Sequence, residues 1–143
     1  MSLLAHAVGG FGAVITLSLI FCVPRRFLIW AGLTGAAGWC VYQGLLSASA
    51  GEMPAMFLAA LLVAVTSHLF ARRFKAPVSI LLVPGILPLV PGVGMYRIVY
   101  YLLQEESAAA SYYFLYTLQM AGMIAIAIFI TDTLFKMGSK QRR

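Results

Sequence analysis

The stretch PGILPLVPGVG, residues 84–94, interrupts a long hydrophobic segment of the chain. It contains three of the six prolines and three of the thirteen glycines. Proline lacks a backbone donor and clashes with the preceding helical turn, whereas glycine adopts backbone angles that other residues avoid. We therefore expect no regular helix here. In hydrocarbon, such a segment is stable only where protein covers it or where it lines a wet cavity, as in the discontinuous spans that hold the substrate in many transporters.

The composition around this stretch is that of a membrane protein. Hydrophobic residues make up 62% of the chain and charged residues 10%, and the mean hydropathy is +0.95. These values predict a single transmembrane domain over residues 1–143. The net charge of +6 does not indicate nucleic-acid binding, because the basic residues collect in short connections and the tail, where lipid headgroups are their expected neighbours. The two cysteines lie in hydrophobic segments and indicate neither a disulfide nor a metal site.

Five hydrophobic segments are long enough to cross a bilayer, which takes about 20 apolar residues. They cover residues 3–23, 27–46, 54–71, 77–103 and 111–135, and a basic tail follows at 136–143. The first and third connections and the tail are basic, whereas the second and fourth are not. Because basic residues collect on the cytoplasmic side, we predict an all-α, multi-pass protein of the cell (plasma or inner) membrane. It has five spans, the fourth one broken, with the N-terminus outside and the C-terminus in the cytoplasm. The first segment is expected to be a retained span, since no small-residue cleavage site follows it.

Pairs of small residues spaced by four recur in four of these segments: Gly9/Ala13, Ala31/Gly35, Ala60/Ala64 and Ala121/Ala125. Such pairs let neighbouring helices approach closely. The pattern favours tight packing within the chain, and it leaves open contacts with a partner subunit or a second copy.

Two stretches together resemble one known family. Residues 21–39, FCVPRRFLIWAGLTGAAGW, resemble its first cytoplasmic turn, in which a Val-Pro pair and a basic residue precede a glycine-rich second span. Residues 83–96, VPGILPLVPGVGMY, resemble its signature, a Pro-Leu-Val-Pro-Gly run with a tyrosine four residues after the glycine. The family is the threonine/serine exporter family, and the chain is similar to its small subunit or C-terminal half.

The resemblance implies a partner and an activity. The partner is a larger membrane subunit that supplies a cytoplasmic portion and further spans. The activity is export of threonine and serine, or of a dicarboxylate such as succinate, driven by the proton motive force. A structural or regulatory subunit without a substrate site, and a channel-forming homo-oligomer, are the alternatives. An enzyme is not predicted, because no metal-ligand spacing or activated-nucleophile motif is present in the sequence, and no cofactor is expected.

The broken segment and the residues just after it supply the candidate substrate site: Pro84, Gly85, Pro88, Pro91, Gly92, Gly94, Tyr96 and Arg97. A helix that begins near Gly94 presents free N–H groups and a positive dipole end to a carboxylate. Arg97 is the only basic residue outside the connections and the tail, about 9 Å below the outer end of a helix rising 1.5 Å per residue. Its guanidinium fits a carboxylate in bidentate fashion, although snorkelling to outer headgroups also explains it. Tyr96 adds a hydroxyl beside the break.

Two further residues are candidates for proton coupling. Asp132 is the only acid within a predicted span, although an i,i+4 pair with Lys136 would also explain it. His68 lies near the cytoplasmic end of the third span. Its unperturbed pKa near neutrality suits proton transfer, and a hydrogen-bonded packing role is the alternative.

Overall fold

The computed structural model describes residues 3–140, and these residues form helices joined by short turns. The elements are α1 (Leu3–Ile20), α2 (Arg25–Ser47), α3 (Glu52–Phe74), α4 (Ser79–Ile86), a 3-10 turn (Leu87–Leu89), α5 (Gly92–Leu103) and α6 (Ser107–Lys140). Of the predicted basic tail, residues 141–143 lie outside the described residues. The all-helical prediction is therefore confirmed over the described part of the chain.

Residues at both ends of α3 favour the start and the end of a helix. Gly51 precedes the helix with a φ of +79°, a backbone conformation that suits glycine. Glu52 lies in the first turn and Arg72 and Arg73 in the last, which places charges of the favourable sign at each end of the helix dipole. Lys75 then ends the helix in the left-handed conformation.

Two clusters of buried apolar side chains hold the helices together. One joins α3, α6 and the 3-10 turn, and it contains Met56, Ala59, Ala60, Val63, Leu89, Met120, Ile124 and Ala127. The other joins α1 and α2 to α3 and α4, and it contains Val14, Phe27, Ala31, Ala71 and Leu81. Helix α5 packs along α6, so the break in the chain lies between the α2–α3 pair and α6.

The predicted small-residue pairs divide into two kinds. Ala31/Gly35 and Ala60/Ala64 are buried, and a methyl group on Gly35 would overlap Val14 of α1, so this pair sets the close approach of α1 and α2. Gly9/Ala13 and Ala121/Ala125 lie on exposed faces. Tight packing within the chain therefore explains the first two pairs.

The helix break is present but much narrower than the sequence indicates. Residues 84–86 continue α4, residues 87–89 form the 3-10 turn, and residues 92–94 already belong to α5. Only Val90 and Pro91 lie outside helical structure, and the two halves meet at 50°. The prediction that no regular helix runs through this stretch is therefore confirmed, although its non-helical part covers only two residues. Pro88 occupies the first turn of the short 3-10 element, where its missing N–H is tolerated. Pro91 forces the extended conformation of Val90 and ends the run.

By length and apolar composition, two helices of the described chain can cross a membrane, namely α3 and the Ser107–Gly138 part of α6. The number rises to three if the bent α4–α5 pair is one span. Helix α1 is apolar but short over Ala5–Ile20, and α2 carries four glycines and Gln43 along its length. Five crossings and their orientation stay predictions.

Candidate functional site

The bend between α4 and α5 opens a cavity of about 370 Å³. It is bordered by the ends of α2 and α3 on one side and by α6 on the other. Its lining residues are Trp39, Tyr42, Glu52, Met56, Pro88, Leu89, Val90, Pro91, Gly92, Val93, Gly94, Arg97, Tyr112, Tyr113, Tyr116 and Met120. The cavity is aromatic and apolar with one guanidinium and one carboxylate. This composition suits a small polar ligand, which needs a few oriented polar groups in an otherwise apolar wall.

Arg97 is held by an aromatic wall. Its Nη1 donates a hydrogen bond of 3.1 Å to the Tyr113 hydroxyl, and its guanidinium carbon lies 5.0 Å from the centre of the Tyr113 ring. Tyr101 stacks on Tyr113, with 5.3 Å between the ring centres. Within residues 5–138 no carboxylate lies within ion-pair distance of Arg97. The guanidinium is therefore oriented by neutral groups and keeps its positive charge for an anionic ligand.

The first turn of α5 adds backbone donors to the same cavity. The helix has no side-chain cap, and the Val93 and Gly94 amides donate to no backbone carbonyl in the described chain. Free N–H groups at a helix N-terminus carry a positive partial charge and bind anions. Gly94 packs so closely on Thr117 that an added methyl group would overlap the threonine hydroxyl, whereas Gly92 has open space around it. Gly94 therefore lets the backbone of α5 approach α6, and Gly92 leaves the helix end uncovered.

Glu52 is a charged residue of the cavity that sequence reasoning missed. As the first residue of α3 it reaches the cavity, where Oε2 accepts a short hydrogen bond from the Tyr116 hydroxyl. In the sequence, Glu52 falls in the second connection, between the hydrophobic segments 27–46 and 54–71. The connection contains this acid and no basic residue, which was the available signal. Nothing in the sequence indicated the contact with Tyr116, which is 64 residues away.

Of the predicted substrate-site residues, five line this cavity: Pro88, Pro91, Gly92, Gly94 and Arg97. Gly85 is instead buried in α4, where an added methyl group would come within 3.0 Å of the Thr34 hydroxyl. Pro84 borders a second cavity of about 310 Å³ between the α1–α2 connection and α4. Tyr96 is 67% exposed and stacks on Tyr100, away from the cavity lining. Pro84 and Gly85 pack the bent pair against its neighbours.

The two predicted proton-coupling residues meet at the other end of α3. His68 Nε2 lies 3.7 Å from Asp132 Oδ1, and Lys136 Nζ lies 2.5 Å from Asp132 Oδ2. The His68 ring is buried and stacks on Phe135 with 4.7 Å between ring centres. Sixteen residues of α3 separate Glu52 from His68, a rise of about 24 Å. The predicted i,i+4 pair is confirmed, and the structure adds a histidine to it.

Comparison with known proteins identifies the family. A profile described as "Threonine/Serine exporter, ThrE" matches residues 6–134, which include both the cavity and the His68–Asp132 pair. The chain belongs to the threonine/serine exporter family. The family predicted from the sequence is therefore confirmed.

Two relatives of this exporter-family chain are much longer than the part of them that it matches. The threonine/serine exporter of Corynebacterium glutamicum is 40% identical over 73 residues, which are 51% of this chain and 15% of that protein. The probable threonine/serine exporter of Mycobacterium tuberculosis (strain ATCC 25618 / H37Rv) is 30% identical over 86 residues, which are 60% of this chain and 16% of that protein. The chain therefore matches only a small part of these relatives. No solved structure matches it.

Proposed function

We propose that this chain is the small membrane subunit of a secondary-active exporter of small carboxylate-bearing metabolites, either threonine and serine or a dicarboxylate such as succinate. It works in the cell (plasma or inner) membrane with a larger membrane subunit. It crosses the membrane five times, with the N-terminus outside and the C-terminus in the cytoplasm. Family membership and the names of its relatives support the exporter assignment.

One observation carries the proposal, namely the cavity at the helix bend with Arg97 and the uncapped start of α5 on its wall. Both offer positive charge, and neither is neutralised by a carboxylate in contact with it within residues 5–138. A substrate carboxylate would receive a bidentate bond from the guanidinium and further bonds from the backbone amides. In the proposed topology this cavity faces outward, because Glu52 and the end of α5 adjoin the outer connections.

The His68–Asp132 pair is the proposed proton-handling site of the same exporter. It lies at the cytoplasmic end of α3 in the proposed topology, and it joins an imidazole to a carboxylate in a position shielded by Phe135. An imidazole and a carboxylate this close together can pass a proton between them. Proton and substrate sites would then communicate along α3 and α6, which connect them.

The experiment measures efflux of threonine, serine and succinate from loaded cells that express the chain alone, the larger subunit alone, or both. We expect export only with both subunits. Arg97→Gln should lower export at least about tenfold, because a hydrogen bond between charged groups contributes about 1.5–3 kcal/mol. Arg97→Lys should retain part of it, because lysine keeps the charge but loses the planar fork.

The matched control is Arg73→Gln, an exposed arginine in the last turn of α3 that does not line the cavity. Export by the larger subunit alone, or unchanged export after both Arg97 substitutions with wild-type amounts of assembled complex, would contradict the proposal. That result would instead favour a structural or regulatory subunit. Efflux by the chain alone would favour a homo-oligomeric channel.

A further inference from the structure

The cavity holds two opposite charges that do not neutralise each other. Arg97 and Glu52 both line it, yet the ion pairs found within residues 5–138 join Asp132 to His68 and to Lys136 only. A free guanidinium and a free carboxylate facing the same small volume normally attract each other. Here each is instead fixed by a neutral phenol, Arg97 by Tyr113 and Glu52 by Tyr116.

Helix α6 supplies the phenol that contacts each of these two charges. Tyr113 and Tyr116 are three residues apart on this helix, which places them on one face about 4.5 Å apart along the axis. Arg97 reaches Tyr113 from α5, and Glu52 reaches Tyr116 from α3, so three helices converge on the same wall. The cavity therefore presents a positive and a negative group to one ligand.

We propose that Glu52 is a specificity-determining residue, whose carboxylate binds the ammonium group of a zwitterionic substrate while Arg97 and the start of α5 bind its carboxylate. This inference rests on the proposed function and deepens it, because it separates the two substrate classes left open above. A dicarboxylate would place its second negative charge against Glu52. Like charges at close range repel, so a dicarboxylate should bind less well than a zwitterion.

The placement of Glu52 in the first turn of α3 has a second effect, which the test must separate from the first. A carboxylate there stabilises the helix through its dipole, so its removal changes stability whether or not it touches substrate. A discrimination ratio between two ligands is insensitive to stability and to the amount of protein in the membrane. The decisive measurement is therefore such a ratio.

The experiment compares L-threonine with its analogue in which a hydroxyl replaces the α-ammonium, each as an inhibitor of radiolabelled threonine efflux by the assembled exporter. For the wild type we expect threonine to inhibit at least about tenfold more strongly. For Glu52→Gln the ratio should fall close to one, because the amide keeps the bond from Tyr116 but has no charge for the ammonium. Succinate efflux should be unchanged or faster in this variant. Glu52→Asp should keep the preference for threonine.

Two controls define the outcomes. Glu106→Gln removes an acid from the next outer connection, which does not line the cavity, and should leave the ratio at its wild-type value. Ligand-induced thermal stabilisation of the purified complex reports binding without transport. In Glu52→Gln, threonine and its analogue should stabilise the complex to a similar extent. An unchanged ratio in Glu52→Gln, with threonine export by the wild type, would overturn the role of Glu52 and leave the proposed function standing. Succinate export without threonine export or threonine binding in the wild type would overturn the role of Glu52 alone, whereas absence of threonine, serine and succinate export would overturn both.

Discussion

At the scale of single residues, the cavity depends on glycines that bring backbones together and tyrosines that hold charged groups apart. Gly94 is buried because it lets the first turn of α5 rest on Thr117 of α6. Tyr113 and Tyr116, on the same helix, then contact Arg97 and Glu52. Gly92, two positions earlier, makes no such close contact, so the two glycines of this turn have different functions.

Gly94→Ala should therefore destabilise the chain. The added methyl group meets the Thr117 hydroxyl, and overpacking of this kind costs about 1–3 kcal/mol. The gain from replacing a helical glycine is only about 0.5–1 kcal/mol, so we expect a net loss of about 1 kcal/mol. Thermal unfolding in detergent measures it.

Gly92→Ala is the matched control, because nothing lies within 4 Å of the added atom. It should leave the unfolding temperature unchanged or slightly higher. Combining Gly94→Ala with Thr117→Ala should restore the lost stability. Equal unfolding temperatures for the two single variants would contradict the close α5–α6 contact.

At the scale of elements, the sequence predicted the existence of the break but not its extent. Prolines and glycines identify a segment that cannot be one straight helix, and this prediction held. They do not show which proline ends the helix, because that depends on neighbours. Pro84 is tolerated within α4, which is held in place by its packing on α2 and α3. Pro91 lies between the helices and sets the turn into α5.

Replacing Pro88 and Pro91 together with alanine should straighten the pair, because alanine restores both backbone donors and permits a helical Val90. Spin labels at Val83 and Val99, which are 41% and 57% exposed, report the angle between the halves. Their backbone separation should increase toward about 24 Å, the rise of sixteen helical residues. The cavity should shrink, and export should fall.

Pro84→Ala is the comparison variant, since it lies before the bend and within α4. The label separation should stay at its wild-type value in this variant. An unchanged separation in the double alanine variant would show that packing against α2 and α6, rather than the prolines, fixes the 50° bend.

At the scale of the whole molecule, two polar sites lie at opposite ends of the α3–α6 pair. The cavity occupies one end, and the His68–Asp132–Lys136 cluster occupies the other. Sequence reasoning named Arg97, His68 and Asp132 because charged or titratable residues are rare in hydrophobic segments. It missed Glu52 because an acid in a connection is ordinary, and only the fold brings Glu52 to Tyr116. It also named Tyr96, which follows Gly94 closely in the sequence. Tyr96 does not line the cavity, because neighbours in sequence need not share a helix face.

The proton-coupling role proposed for the His68–Asp132–Lys136 cluster predicts an effect of removing its acid. Asp132→Asn should abolish the acceleration of threonine efflux by an imposed pH gradient, while threonine exchange without a gradient continues. The reason is that the exchange step needs the cavity but no net proton transfer. Lys136→Gln removes the exposed partner of Asp132 and leaves the His68 contact, so the gradient should still accelerate efflux. A full gradient response in Asp132→Asn would contradict the proposed coupling.

The central claim is that substrate occupies the cavity at the helix bend, and accessibility of a single cysteine tests it most directly. In a chain with Cys22→Ser and Cys40→Ala, Val93→Cys places a thiol on the cavity wall, and Leu103→Cys places one on the same helix but outside the lining. A membrane-impermeant maleimide is added from outside with and without threonine. We predict that threonine slows labelling at position 93 several-fold and leaves position 103 unaffected. Equal labelling rates at position 93 with and without saturating threonine would contradict the account.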